Sequence, residues 1–169
     1  MNIISKDIEH MIRKISGDLG LSFYKALKGK ENINEFDIAE SLKVTINQLR
    51  NIIYKFDEYS LLSTTRKKDR KKGWYIYFLT FREDEAKKVV IKIKKDLINE
   101  MEKKLRIEES NQFYVCPRKC GRAVIENAME NQFLCTECGE LQILEENSKN
   151  INQIKNEVNR IKKELKIKD

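Results

Sequence analysis

The 169-residue sequence has one proline, one histidine and six glycines. So few turn formers leave little room for long irregular loops or for a β-sandwich. The single histidine, His10, is far in sequence from every cysteine, which weighs against a catalytic thiol. It reads as a helix-surface or helix-edge residue. No glycine-rich phosphate loop occurs, and no nucleophile has a plausible base nearby, so no enzymatic activity is expected. No uncharged run approaches the roughly 18 residues that a membrane span needs. The N-terminal MNIISKDIEH lacks the apolar segment of a signal peptide. A cytoplasmic chain with no membrane partner is expected.

Charge is plentiful, at 36% of residues with a net of +7, and its placement is uneven. Residues 1–81 carry 15 basic and 10 acidic side chains, and RKKDRKK (66–72) holds six of those bases against one acid. The rest of that region is neutral. Residues 111–147 carry a net of −3 and residues 148–169 a net of +4. A polyanion would meet one sharp basic spot.

All four cysteines lie between 116 and 138, as C-x3-C, fourteen residues, then C-x2-C. Each pair is followed by a glycine, Gly121 or Gly139. Two close pairs describe two turns that point four sulfurs at one centre. Cys116, Cys120, Cys135 and Cys138 suit one tetrahedral structural zinc with no position left for a substrate. Residues 123–125, 132–134 and 141–144 read as the short strands of a zinc ribbon, too small to fold without its metal. Two disulfides or a rubredoxin-type iron are the alternatives.

In the first half, Ile8, Met11, Ile12, Ile15 and Leu19 have helical spacing, with Gly20 as the stop. A short helix over 22–27 follows. Asn34 caps a third, with Phe36, Ile38, Ala39 and Leu42 inward. Thr45 and Gln48 form a capping box for a fourth, whose buried stripe is Ile46, Leu49, Ile52, Ile53 and Phe56. Residues 61–68 and 73–81 read as a hairpin. Helices followed by a hairpin make a winged helix, with the hairpin as the wing. The recognition helix offers Arg50 and Lys55 against Asp57 and Glu58, so its charges cancel and operator reading is disfavoured. The wing instead groups Arg66, Lys67, Lys68, Arg70, Lys71 and Lys72 with Trp74 and Tyr75, a composition suited to single-stranded nucleic acid. The plainer reading is a solvated lysine loop whose aromatics cover the core.

Residues 83–110 form one long helical pattern with Val90, Ile93, Leu97, Met101 and Leu105 on a narrow stripe. The tail repeats 3-4-3-4 at Ile151, Ile154, Val158, Ile161 and Leu165, a candidate partner-docking surface. The expected organisation is mainly α with small β elements. It comprises a winged helix over 1–82, a connecting helix over 83–110, a zinc ribbon over 111–147 and an amphipathic helix over 148–169.

This order of parts resembles the archaeal transcription factor E family, related to the α subunit of eukaryotic TFIIE. The resemblance rests on RKKDRKKGWYIYF (66–78), TINQLRNIIYKFDEYSLLS (45–63) and ENAMENQFLCTECGELQIL (126–144). The C-x3-C knuckle departs from the usual C-x2-C, and the resemblance says little of the tail. It implies a general initiation factor without enzymatic activity in an archaeal cell, associated with the nucleoid. The implied partners are RNA polymerase, at its clamp and stalk, and promoter DNA, with the wing near the opened non-template strand. TATA-binding protein and other initiation factors would share the complex. The competing class is a winged-helix repressor with a metal- or redox-sensing cysteine site.

Overall fold

The N-terminal apolar stripe becomes α1 (Ile3–Leu27) in the computed structural model, which describes residues 3–68 and 73–165. Ile8, Met11 and Ile12 are buried along its first half. The helix is broken at Gly17, at φ 70° and ψ −165°, a conformation that only glycine adopts cheaply. The chain therefore turns three residues before the expected stop at Gly20. The break turns Leu19 outward and brings Leu21, Phe23, Tyr24 and Leu27 into the core.

After β1 (Ile33–Asn34) come α2 (Glu35–Ser41) and α3 (Ile46–Asp57). The Asn34 side chain accepts from the Phe36 N–H at 2.9 Å, closing the start of α2. At α3 the Gln48 N–H donates to Thr45 Oγ1 at 3.2 Å and the Thr45 N–H donates to Gln48 Oε1 at 2.9 Å. Two otherwise orphaned donors are thereby satisfied. Leu49, Ile52, Ile53 and Phe56 are buried, and Ile46 packs at the margin. Phe36, expected inside, is 38% exposed; Ile38 and Ala39 alone fill the buried face of α2 beside Glu35.

The strands β2 (Leu62–Lys68) and β3 (Tyr75–Phe81) pair antiparallel from Leu62↔Phe81 to Lys68↔Tyr75. β1 takes the other edge of β3, giving the order β1-β3-β2. Edge-on aromatic contacts join α1 to α3, Phe23 on Phe56 at 5.0 Å, and α1 to the sheet, Tyr24 on Phe81 at 4.7 Å. This is a winged helix.

The chain divides into two compact units, residues 1–93 and 94–169. The division falls within α4 (Glu83–Ser110), which carries Glu83, Asp84 and Glu85 in its first turn, where the helix dipole favours acids. In the first unit Ala86 and Val90 enter the core, while Ile93 of the expected stripe is exposed.

In the second unit β4 (Phe113–Val115), β5 (Arg122–Val124) and β6 (Ile143–Leu144) form an antiparallel sheet in the order β5-β4-β6. α5 (Ile125–Glu130) follows β5 directly. Residues 132–134, expected as a strand, are instead a turn off α5. Gln132 and Phe133 take positive φ, and only Leu134 bridges, to Leu141. α6 (Ser148–Leu165) buries Val158 and Ile161 against Ile98 of α4, with Met101, Ile154 and Leu165 around them. Leu97, expected on the buried stripe, is exposed and Ile98 takes its place. Ion pairs Lys155–Glu109 at 2.6 Å, Lys162–Glu102 at 3.3 Å and Lys94–Glu164 at 2.8 Å run in opposite order along the two helices, so they pack antiparallel. The stripe read from the sequence as partner-docking is thus covered by this chain at Ile154, Val158, Ile161 and Leu165, and Ile151 is half-buried. Its apolar face finds in α4 the helix that it needs. Among the described residues no helix is long and apolar enough to cross a membrane.

Two stability measurements follow from this packing. Ile161→Ala should cost about 2–4 kcal/mol in urea unfolding of the second unit; a loss no larger than that of an exposed substitution would contradict the α4–α6 contact. The Arg50 guanidinium of α3 donates to the buried Glu35 carboxylate of α2 in a two-point fork; Arg50→Ala leaves that carboxylate alone and should cost about 3 kcal/mol. The apolar double variant Glu35→Leu/Arg50→Leu should recover most of that loss, and equal losses in the two would refute the role of the pair.

Candidate metal centre and basic wing

β4 delivers Cys116 into the first knuckle. The Cys116 N–H donates to the Gly121 carbonyl at 3.1 Å and the Lys119 N–H to the Cys116 carbonyl at 2.8 Å. In the second, the Cys135 N–H donates to the Glu140 carbonyl and the Gly139 N–H to the Cys135 carbonyl, both at 2.8 Å. Gly139 has φ 74°, so the glycine after C-x2-C serves the turn itself. In the C-x3-C knuckle the left-handed residue is Lys119, at φ 60°, and not Gly121. The extra residue moves the left-handed position ahead of the second cysteine.

The four sulfurs lie within 4.8 Å of one another, with Cys116 and Cys138 at 3.5 Å. A tetrahedral ion with metal–sulfur bonds of about 2.3 Å separates its ligands by about 3.8 Å, so the cluster fits with little contraction. Cys116 and Cys135 are buried while Cys120 and Cys138 face outward. Burial raises the Cys116 thiol, but hydrogen bonds from the N–H groups of Arg118 and Cys120 and from the Cys138 and Cys120 side chains together lower its pKa to about 7. Cys120, hydrogen-bonded to Cys138 and then Cys116, is pushed up to about 12. Four thiols this close cannot all ionise without a cation, and a divalent ion would displace their protons. The site could hold a metal ion through four sulfurs.

The residue that sequence reading missed here is Arg122. Its guanidinium forks onto Glu108 at 2.7 and 2.8 Å, bonds Glu145, and lies 3.6 Å from the Phe113 ring centroid. Asn147 Nδ2 donates to the Glu108 carbonyl at 2.8 Å. Hydrogen bonding to Arg122 holds the Glu108 carboxyl below its ordinary range. No periodicity flags such a residue; a lone arginine beside a knuckle looks like surface.

On the wing, Arg66, Lys67 and Lys68 lie on β2, while Arg70, Lys71 and Lys72 lie outside the described residues. Trp74 is 51% exposed and Tyr75 45% exposed, so neither is core. The Arg66 guanidinium stands 4.7 Å from the Tyr75 ring centroid, and the Trp74 ring lies 6.5 Å from that of Phe36. Strand alternation separates the cations. Arg66 and Lys68 oppose Tyr77 and Tyr75 on one face, whereas Lys67 opposes Ile76 on the other and stands over Phe78 at 5.1 Å. On α3, Arg50 is already paired with a carboxylate. Its Nη2 and Nε donate to Glu35 at 2.9 and 3.2 Å, and that carboxylate has 1% of its side chain exposed.

The sequence profile described as TFIIE alpha subunit matches residues 6–110. The chain is 27% identical over 139 residues to Transcription factor E of Metallosphaera sedula, covering 82% of this chain and 79% of that protein. It is 32% identical over 152 residues to Transcription factor E of Cenarchaeum symbiosum, covering 89% of each. With Transcription factor E of Methanosarcina mazei the identity is 29% over 160 residues, 94% of this chain and 96% of that one. A match of that extent must run through the four-cysteine segment, which the profile does not reach.

Elemental analysis of the purified chain should find about one divalent ion per chain. Cys135→Ser should abolish its binding and melt the ribbon while leaving the helical signal of residues 1–82 in place. A folded ribbon without metal would contradict the assignment.

Proposed function

The chain belongs to the TFIIE alpha subunit family, whose members are transcription initiation factors rather than enzymes, and from that premise we propose that it assists promoter opening. In this reading it joins the preinitiation complex through the clamp and stalk of RNA polymerase, alongside TATA-binding protein and other initiation factors. It works inside an archaeal cell, at the nucleoid. Residues 1–82 act as the winged-helix domain and residues 111–147 as the ribbon, with one structural zinc on Cys116, Cys120, Cys135 and Cys138. The sulfur-only donor set supports zinc, because thiolates favour it and four of them leave no open position. The zinc holds the ribbon's shape and takes no part in chemistry.

The observation that carries the reading is the division of labour in the winged helix. α3 presents a closed arginine, whereas the wing presents exposed Trp74 and Tyr75 beside Arg66, Lys67 and Lys68. Cations next to exposed rings suit an opened strand, whose unpaired bases can stack. Arg70, Lys71 and Lys72 continue the basic run in sequence. Contact with backbone and stacked bases is indifferent to duplex sequence and sensitive to salt.

Permanganate footprinting of a promoter in a reconstituted initiation reaction tests this. Lys67→Ala/Lys68→Ala and, separately, Trp74→Ala should each lower reactivity of the opened strand several-fold, with polymerase binding retained. Because these side chains are exposed, stability should change by about 0.5 kcal/mol at most. Undiminished opening by both variants would overturn the proposal, as would tight wild-type binding to one specific duplex.

A further inference from the structure

α3 and the sheet enclose a cleft that neither the metal centre nor the exposed wing rings use. It is lined by Glu35, Arg50, Tyr54, Asp57, Thr64 and Tyr77 and has a volume of about 220 Å3. We propose that this cleft binds the cationic side chain of an arginine or lysine presented by a protein partner. The volume falls below the roughly 300 Å3 at which small-molecule pockets begin, so it admits a side chain but no nucleotide.

The charges select the sign of the occupant. Glu35 and Arg50 neutralise each other in a two-point fork. Asp57 is the remaining charged lining residue, and among the described residues no ion pair is formed by its carboxylate. Asp57 thus brings to the cleft one carboxylate without an ion pair among the described residues; Arg66, opposite Tyr77 on the same strand face, is not among the lining residues. Asp57 is the last residue of α3, where the helix dipole disfavours an acid. Burial also pushes its carboxyl above the ordinary range. Both penalties are relieved by a cation and worsened by a phosphate.

The cleft already shows how it holds such a group. The Arg50 guanidinium sits 5.8 Å from the Tyr77 ring centroid while it engages a carboxylate. Tyr54 and Asp57, three residues apart on one face of α3, add a second ring and a second carboxylate to the lining. The Tyr54 side chain is exposed, so an incoming side chain can reach it. A guanidinium fits best, being planar, weakly hydrated and able to stack and pair at once. The inference requires neither the zinc nor strand binding by the wing.

The test is a nuclear magnetic resonance titration of the isotope-labelled full chain. The probe is the tripeptide acetyl-Gly-Arg-Gly-amide, with acetyl-Gly-norleucine-Gly-amide as the neutral control. Saturable shifts at Tyr54, Asp57 and Thr64 are expected with the arginine peptide alone. Asp57→Asn should weaken binding at least fivefold with an unchanged melting temperature. Lys67→Ala/Lys68→Ala should bind as wild type, which separates this site from the wing. Absence of saturable shifts, equal shifts with the neutral peptide, or unaltered affinity in Asp57→Asn would overturn the proposal.

Discussion

The carboxylate of Glu35 has to keep a cation, and much of the first unit follows from that need. Glu35 is the first residue of α2 and its side chain is almost wholly enclosed. A charge so placed is tolerated only with a well-aligned, hydrogen-bonded counter-charge. Arg50 supplies it from the middle of α3, and its guanidinium lies over Tyr77 of β3. One ion pair therefore joins two helices and the central strand. The hydrogen bond to Glu35 also makes Arg50 harder to deprotonate. The cost falls on α3 as a nucleic-acid reader. With Arg50 committed, Lys55 stands against Asp57 and Glu58 on that helix. Phosphate attraction has to come from another element.

The second unit meets a different constraint, the shortage of apolar surface. Its helical cluster is centred on Ile98, Val158 and Ile161, and the ribbon buries little beyond Phe113, Ala128 and two of its own cysteines. So small a core leaves most of the fold to cross-links. The four sulfurs bring the two knuckles to one centre, where a bound metal ion would tie them together. Arg122 ties β5 to the end of α4 through Glu108 and to the segment after β6 through Glu145. Asn147 returns that segment to α4 just before α6 begins. The ribbon is thus bracketed by helices at both ends, and α6 completes the unit instead of leaving an apolar face in solvent.

What the sequence made legible, and what it hid, divides along physical lines. Local rules were readable: the Asn34 cap, the Thr45–Gln48 box, the α3 stripe and the hairpin each depend on residues a few positions apart. The cysteine set was readable because four thiols in one short window have few uses. Non-local choices were not. Gly17 and Gly20 are equally plausible breaks in sequence, and only packing selects Gly17. Phe36 has the periodicity of a core residue, yet Glu35 took the buried place because Arg50 was there to receive it. The 3-4-3-4 stripe of α6 announced a helical partner but could not say that α4 would be that partner. Two-residue strands such as β1 carry no period to detect.

The hairpin then explains why a factor of this design would act as part of a larger assembly. Alternation along β2 puts Arg66 and Lys68 on one face and Lys67 on the other. A strand lying on either face meets at most two of these cations. Each neutralised phosphate contributes about 0.7 to the salt dependence of single-strand binding, so the electrostatic attraction of β2 alone is modest. Stacking on Trp74 or Tyr75 adds about 1–3 kcal/mol per base where it occurs. Such a surface holds a strand poorly in free solution. In the proposed role, held beside the opened strand by protein contacts, the same groups would act at a high effective concentration, and a modest contact would suffice to bias melting. Weak cations on the wing and a closed arginine on α3 are therefore two sides of one arrangement. The protein surfaces would fix position, and the wing would only have to favour the open strand once it is within reach.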